Sequence, residues 1–383
     1  MKKLAFKIHL WLSLPIGLII TIVCLTGSIL VFEDELLELL HPERFHIEKT
    51  SFNKPLVLNE LIPLVNKQLT NNSVVSVKIP SKSNRSYEMG LKEGFRVKAY
   101  VNPYTGELLG IQSFRGAFFT KVMQLHRWLL DDNRKTGKAI VGYSTLLLVF
   151  ILITGLILWF PKSKKQFKHR VQINKKYGKK RFWMDLHIVG GFYLAIGLLI
   201  LSLTGLHYSF SWYRTGLYSL FASEAPARGN QQQKQIRGNK NQKRKRHQTD
   251  SFINENENTN SSYLAWDRAL NIIKKEYTSF GNITIQEEKI TISPASSWGN
   301  IRATDHYLFD SSNGKIIDSI PYKEQSRASK ISGWIYTLHV GAWGGWFSKV
   351  ITCLIALISA TLPLTGYYIF FTKRKRKWSK NNK

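Results

Sequence analysis

Four apolar runs long enough to cross a lipid bilayer constrain this chain more than any other feature. They cover approximately residues 10–32, 139–160, 186–210 and 347–371. A helix needs about 20 consecutive apolar residues to span the hydrocarbon core of a membrane, and each run reaches that length. The first run follows "MKKLAFKIH" like a signal peptide, but no small-residue cleavage site follows it, so an uncleaved anchor is expected.

Basic residues beside these runs predict the orientation of the chain. Residues 161–183 contain ten Lys/Arg and no acid, and the chain ends in "TKRKRKWSKNNK". Short basic segments that flank spans stay in the cytoplasm, so both termini and this loop are expected there. Much of the formal charge of +30 therefore comes from basic residues next to the spans, where membrane lipid lies. This placement argues against a nucleic-acid partner.

The two halves of the sequence form an internal repeat. "HLWLSLPIGLIITIVCLTG" (9–27) parallels "HIVGGFYLAIGLLILSLTG" (187–205), and "FRVKAYVNPYTGELLG" (95–110) parallels "ATDHYLFDSSNGKIID" (303–318). The second pair predicts β-hairpins that turn at Gly106 and Gly314. An amphipathic helix is expected before each hairpin, at 58–69 and 264–277. Each half is thus a span, a small α+β domain and a span, with a pseudo-twofold axis along the membrane normal.

The predicted fold class is an α-helical membrane protein with four transmembrane helices, built as two repeats of span, domain and span, with two small α+β periplasmic domains. The expected parts are the first span (1–32), periplasmic domain 1 (33–115), an amphipathic helix with the second span (116–161), a basic cytoplasmic loop (162–183), the third span (184–212), periplasmic domain 2 (213–326), a helix with the fourth span (327–372) and a basic cytoplasmic tail (373–383). Residues 227–262 are polar and rich in Asn, Gln and Lys, a composition that predicts disorder.

Four histidines occupy symmetry-related positions at the ends of the spans. His9 and His187 each lie eighteen residues before the glycine of an L-T-G tripeptide, which predicts one pair at the cytoplasmic side. His126 and His339 precede the second and fourth spans and predict a second pair at the outer side. Two imidazoles that face each other across a bundle suit the axial positions of a haem. Since no C-x-x-C-H occurs, two non-covalent b haems are expected, with iron bound by His9, His187, His126 and His339.

Other residues complete this hypothesis. The tripeptide glycines of the four spans are expected at the seam, where a flat macrocycle could approach the backbone; they are Gly27, Gly155, Gly205 and Gly366. His207 has no counterpart in the first half, where Ile29 takes its place, so it is kept as a reserve ligand. The alternative for each single histidine is an interfacial residue at the headgroup level.

The chain resembles the PepSY-associated transmembrane family, which includes bacterial iron-regulated inner-membrane proteins and siderophore-iron reductases. The resemblance rests on "LHRWLL" with the following "GKAIVGYSTLLLVFILITGLILWFP", on the L-T-G spans and on "YVNPYTGELLG" (100–110). It extends over nearly the whole chain apart from 227–262. The second half departs from the pattern, because "LHVGAW" lacks the arginine after the histidine and "YLFDSSNG" lacks the Pro-Tyr turn.

The resemblance implies a di-haem inner-membrane protein that passes electrons outward and reduces ferric siderophores or other iron chelates in the periplasm. It also implies an inner electron donor, either a quinol or a cytosolic flavin reductase. Arg115, Arg127 and Trp128 are candidate contacts for the chelate; the alternative is that Arg127 caps its helix or extends to headgroups.

Two other functions are open at this stage. A transporter of siderophore or another solute would use broken spans or charged residues near the membrane midplane, and Pro15 and Pro363 are the residues that could kink spans one and four. A non-enzymatic regulator would use the PepSY-like domains to bind another envelope protein, and would leave the four histidines without a role.

Overall fold

The computed structural model describes residues 1–47, 54–94, 97–113, 116–174, 178–221 and 255–381. These residues form two compact units. The span unit comprises Met1–Asp34, Gly116–Arg214 and Ile335–Lys383, and the sheet unit comprises Glu35–Arg115 and Thr215–Trp334.

The helices account for both the spans and their connections. In chain order they are α1 (Lys2–Leu30), α2 (Glu33–Leu40), α3 (Pro42–Phe45), α4 (Leu58–Gln68), α5 (Phe118–Trp128), α6 (Lys135–Trp159), α7 (Lys164–Arg170), α8 (Gly178–Ser209), α9 (Ser211–Phe221), α10 (Glu255–Glu276), α11 (Arg327–His339), α12 (Gly345–Ser359) and α13 (Thr361–Asn381). Four stretches are long and apolar enough to cross a membrane: Lys2–Leu30, Lys135–Trp159, Gly178–Ser209 and Gly345–Thr372. The four predicted spans are therefore confirmed, although the third begins several residues earlier than expected.

The fourth span is interrupted where the second is continuous. Helix α12 ends at Ser359 and α13 begins at Thr361, two residues before Pro363. Proline lacks the N–H that would bond back to residue i−4, so the helix cannot continue through this point without losing a hydrogen bond. At the break itself, the hydroxyl of Thr21 on α1 donates to the carbonyl of Ala360 at 3.1 Å. Pro15, by contrast, lies inside an uninterrupted α1.

An apolar core holds the spans together between the two histidine levels. Three side chains of α1, namely Ile16, Ile20 and Cys24, pack with Leu148, Ile151 and Leu152 of α6 and with Leu198 of α8 and Ala360. Other apolar side chains of the spans face outward and are exposed, for example Leu18, Phe150 and Ile196. A helix that is apolar on all sides is expected where its outer face contacts lipid.

The sheet unit is built on one eight-stranded antiparallel sheet. Its strands are β1 (Val74–Pro80), β2 (Tyr87–Leu91), β3 (Lys98–Val101), β4 (Leu108–Gln112), β5 (Asn282–Gln286), β6 (Lys289–Ile292), β7 (Asp305–Phe309) and β8 (Ile316–Ile320), in the order β4-β3-β2-β1-β5-β6-β7-β8. The predicted hairpins are confirmed as β3–β4 and β7–β8. Their turns contain Gly106 and Gly314 at φ of +77° and +74°, a region that favours glycine.

The two α+β halves are fused rather than separate. Strand β1 of the first half pairs with β5 of the second, with Val77 opposite Ile285. Helices α4 and α10 cover the sheet and share its core, in which side chains such as Leu61, Ile62, Ile273 and Phe309 are almost completely buried. The carboxylate of Asp267 on α10 also accepts the first amides of α4, from Leu58 and Asn59, each at 2.8 Å. The two predicted domains therefore form one unit with one core.

The prediction of disorder over 227–262 is corrected at its end. Helix α10 begins at Glu255, so the last eight residues of that segment are helical. Residues 227–254 lie outside the described residues. The predicted cytoplasmic loop 162–183 likewise contains α7 and the start of α8, and α13 extends into the predicted tail.

Candidate functional site

His9 and His187 meet across the span unit. His9 lies on α1 and His187 on α8, and their ring centroids are 6.3 Å apart with the ring planes at 87°. Both side chains are partly buried. Two helices from different halves of the chain thus present one imidazole each to a common point, as the repeat predicted.

His126 and His339 form a second pair of the same dimension. His126 lies near the end of α5 and His339 is the last residue of α11, and their ring centroids are also 6.3 Å apart, with the planes at 54°. Gly27, which lies against His126, follows His9 by eighteen residues on α1, or about 27 Å along the helix axis. The two pairs therefore lie at opposite ends of the spans.

Each histidine uses its Nδ1 atom in the same way. Nδ1 contacts two groups next to the Leu-Thr-Gly or Ile-Thr-Gly motif of a span. One is the backbone carbonyl four residues before the glycine, and the other is the hydroxyl of the threonine just before it. His9 Nδ1 lies 3.0 Å from the Ile151 carbonyl and 3.3 Å from Thr154 Oγ1. His187 Nδ1 lies 3.1 Å from the Leu362 carbonyl and 2.9 Å from Thr365 Oγ1.

The His126–His339 pair repeats this pattern with the partners supplied by spans one and three. His126 Nδ1 lies 2.9 Å from the Val23 carbonyl and 3.2 Å from Thr26 Oγ1. His339 Nδ1 lies 3.0 Å from Thr204 Oγ1 and bonds to the Leu201 carbonyl. The four contacts are thus four copies of one arrangement.

These contacts determine which ring nitrogen carries the proton. A carbonyl oxygen can only accept a hydrogen bond, so Nδ1 of each ring must be the donor. The threonine hydroxyls donate to their own helices, for instance Thr154 to the Phe150 carbonyl at 2.8 Å, so their oxygens also accept from Nδ1. In a neutral imidazole the Nε2 atom is then unprotonated. Its lone pair is available to a metal.

The tripeptide glycines make room for the imidazoles. A Cβ atom built on each glycine would lie 3.1 to 3.5 Å from the Cε1 atom of one histidine: Gly27 from His126, Gly155 from His9, Gly205 from His339 and Gly366 from His187. The sequence prediction assigned these glycines to the approach of a macrocycle. The contact that the structure shows is with the imidazole edge, so their role here is to let each ring reach its carbonyl.

The environment of the His126–His339 pair favours neutral rings. Burial lowers the pKa of His126, and burial together with the positive charge of a protonated His126 lowers the pKa of His339 to about 4. The positive charge of the Arg127 guanidinium also lowers the pKa of both histidines, because it disfavours a second positive charge nearby. Neutral imidazole is the form that binds metal ions.

The spacing of the rings in each pair fits one metal ion between two imidazoles. With metal–nitrogen bonds of about 2 Å and about 1.1 Å from nitrogen to ring centroid, imidazoles on opposite sides of an ion have centroids roughly 6 Å apart. This is close to the 6.3 Å between the rings of each pair. Within the described ranges, no group of three or more His, Cys, Asp or Glu side chains could hold a metal ion. An ion held by two imidazoles would take its remaining ligands from a bound group, as the iron of a haem does.

The remaining predicted site residues lie apart from the pairs. His207 is buried; its ring lies 5.1 Å from that of Tyr208, which in turn lies 5.6 Å from His339. It belongs to neither pair but borders the outer one. Arg127 is exposed and lies over the ring of buried Trp128 at 5.3 Å. Arg115 lies outside the described residues.

The anchoring of Nδ1 is the feature that the sequence prediction missed. The signal was present, because a threonine precedes the glycine in all four spans as Leu-Thr-Gly or Ile-Thr-Gly. Only the glycine was interpreted there. Hydrogen bonds to the second nitrogen of a metal-binding histidine orient the ring and raise its basicity. The Thr-Gly dipeptide is therefore part of the candidate site.

The fold and its paired histidines define a multi-pass membrane protein made of two similar halves. The family model described as the PepSY-associated TM region matches residues 6–374 of the 383 in the chain. The chain belongs to this family. No curated protein sequence matches it.

Proposed function

We propose that this protein is a di-haem b electron-transfer protein of a bacterial inner membrane that reduces ferric chelates in the periplasm. The observation that supports this most strongly is the set of four Nδ1 hydrogen bonds, which leave Nε2 unprotonated in each of four imidazoles whose rings lie in two pairs. A histidine that serves only as an interfacial residue needs no such fixed tautomer. Structural histidines would also not require the same arrangement four times.

The proposed cofactor sites use this chain's own residues in two places. His9 and His187 would hold one haem at the end of the spans with the basic segments, and His126 and His339 would hold the other at the opposite end. A haem bound at each pair would supply an iron that takes up one electron and gives it back. The apolar core around Ile20, Leu152 and Leu198 excludes water from the region between the two levels.

The proposed direction of electron flow follows from the charges of the chain. The basic segments that flank the spans favour the cytoplasmic side for the His9–His187 pair, where a quinol or a flavin reductase would donate electrons. The His126–His339 pair then faces the periplasm, where a ferric chelate would accept them. Each ferric ion takes one electron and becomes ferrous, so a two-electron donor serves two ferric ions. The siderophore as substrate rests on analogy with other members of the family.

A reoxidation assay tests this function. The protein, purified in nanodiscs and reduced with dithionite without oxygen, is mixed with ferric citrate or a ferric trihydroxamate. We expect the reduced haem band to disappear with at least one chelate while ferrous iron accumulates. Gallium(III) complexes of the same chelators are the control, because gallium is not reduced under these conditions. A reduced spectrum that persists with every ferric chelate would contradict the proposal.

A second candidate function is transport, which the break in span four favours. Transporters bind substrate near interrupted helices, and α12 and α13 are separated at Ala360. An uptake assay distinguishes the two functions: the protein is reconstituted into liposomes, and radiolabelled ferric chelate is added outside the vesicles. Retention of the label inside the vesicles without haem reoxidation would support transport and contradict reduction.

A further inference from the structure

The loop between α5 and span two is held in an unusual conformation directly beside the outer histidine pair. Three of its residues, Leu129, Leu130 and Arg134, have φ between 54° and 60° although none is glycine. Such left-handed residues persist only where surrounding contacts enforce them, and they are found at functional sites more often than elsewhere. The loop starts three residues after His126.

Two contacts fix this loop. The carboxylate of Asp131 accepts the amide of Gly137 at 2.9 Å and that of Asn133 at 3.3 Å. Gly137 also lies so close to the Trp128 carbonyl that an added Cβ would be 1.9 Å from it. Because both Asp131 oxygens are used by backbone amides, this residue acts as a structural cap for the loop.

The loop brings two arginines onto one tryptophan. The guanidinium carbons of Arg127 and Arg134 lie 5.3 and 4.9 Å from the ring of Trp128, within the range of a cation–π interaction. Trp128 is buried, whereas both arginines are exposed. Arg134 forms no ion pair with a carboxylate in the described part of the chain.

This arrangement is present in one half only. After His339 the chain continues Val340-Gly341-Ala342-Trp343, with no arginine before span four. The pseudo-symmetry of the spans therefore accounts for the paired histidines but not for the arginines. A cationic pair added to one half, beside the outer histidines, indicates a ligand that approaches from that side.

We propose that Arg127 and Arg134, fixed by Trp128, form a carboxylate-binding site beside the His126–His339 pair. This inference rests on the proposed function for its role. Guanidinium groups bind carboxylates through parallel N–H···O bonds, and contact with the face of an aromatic ring positions the planar group. Carboxylates at this position can come from an anionic ferric chelate or from the propionates of the outer haem.

Gallium(III) citrate is a suitable probe, because it is anionic and redox-inert, and its binding is measured by calorimetry without any electron transfer. We expect the protein in nanodiscs to bind gallium citrate more tightly than a neutral gallium trihydroxamate. Arg127→Gln with Arg134→Gln should weaken citrate binding about tenfold, and Arg134→Lys should lie in between because it keeps the charge but loses the planar fork. Lys121→Gln, which removes an exposed charge from α5, is the matched control and should change nothing.

The haem of the same double variant separates the two sources of carboxylate. Weaker citrate binding with unchanged haem content and potential assigns the site to the chelate. Unchanged citrate binding with a shifted potential or partial loss of the outer haem assigns it to the propionates. If neither quantity changes in the double variant, the inference is wrong, while two haems in the same preparation would leave the proposed function standing. A preparation without haem would overturn the proposed function alone, since citrate binding is measured independently.

Discussion

His9 on the first span and the backbone carbonyl of Ile151 on the second are joined by a 3.0 Å hydrogen bond, although the two residues are 142 positions apart in the sequence. The bond fixes the ring's proton on Nδ1 and leaves Nε2 unprotonated, in a ring whose centroid lies 6.3 Å from that of His187. The same contact, repeated at three other places, is the structural basis for the proposed cofactor sites. It also links the two spans of each half. The second span accepts the histidine of the first span, and the first span accepts the histidine that precedes the second.

Removing one threonine hydroxyl should loosen one histidine without removing it. In Thr365→Val, His187 Nδ1 keeps the Leu362 carbonyl but loses the hydroxyl at 2.9 Å. We expect about tenfold faster transfer of one haem to an apoglobin acceptor, since loss of such outer contacts costs about 10- to 100-fold in affinity. Thr372→Val is the matched control, because the Thr372 hydroxyl bonds only to its own helix. Equal transfer rates in the two variants would contradict this role of Thr365.

Glycine substitutions should affect the site on the opposite end from the histidine of the same span. Gly27 shares α1 with His9, yet its added Cβ would lie 3.1 Å from the Cε1 atom of His126. Gly27→Ala should therefore reduce occupancy of the outer haem, and Gly155→Ala, at 3.2 Å from His9, that of the inner haem.

The measurement for these glycines is haem content together with the spectrum of the haem that remains. Gly191→Ala on span three is the control, because its Cβ would meet nothing within 4 Å. The assignment would be wrong if Gly27→Ala and His9→Ala removed the same haem.

Asp267 should stabilise helix α4 of the other half. Its carboxylate accepts the amides of Leu58 and Asn59, which are otherwise unpaired at the start of α4. Asp267→Ala should cost about 1 kcal/mol and speed amide hydrogen exchange in α4 roughly fivefold. Hydrogen-exchange mass spectrometry of the full chain measures this. Glu107→Ala, an exposed carboxylate, should leave exchange in α4 unchanged; unchanged exchange in Asp267→Ala would show that the cap is dispensable.

The sequence predicted those parts of the fold that depend on local patterns and on the repeat. Apolar length alone located the four spans, and the spacing between His9 and Gly27 was enough to place the histidines in two pairs. Turn glycines at Gly106 and Gly314 located the hairpins because their positive φ is a local requirement.

The parts that escaped prediction depend on contacts between distant segments. The pairing of β1 with β5, seen in Val77 and Ile285, has no local signature, since each strand by itself reads as the edge of a small sheet. The bonds from Nδ1 to carbonyls involve no side-chain pattern at the acceptor. The cluster of Arg127 and Arg134 on Trp128 required knowledge of the left-handed loop that folds Arg134 back.

The most direct test of the central claim is the haem content of purified protein from cells well supplied with haem, measured by the pyridine haemochrome method. We expect two b haems per chain in the wild type, and one in each of His9→Ala, His187→Ala, His126→Ala and His339→Ala. The first two variants should keep the same remaining haem, and the last two the other. A wild-type preparation without haem, or four variants that all retain both haems, would contradict the account.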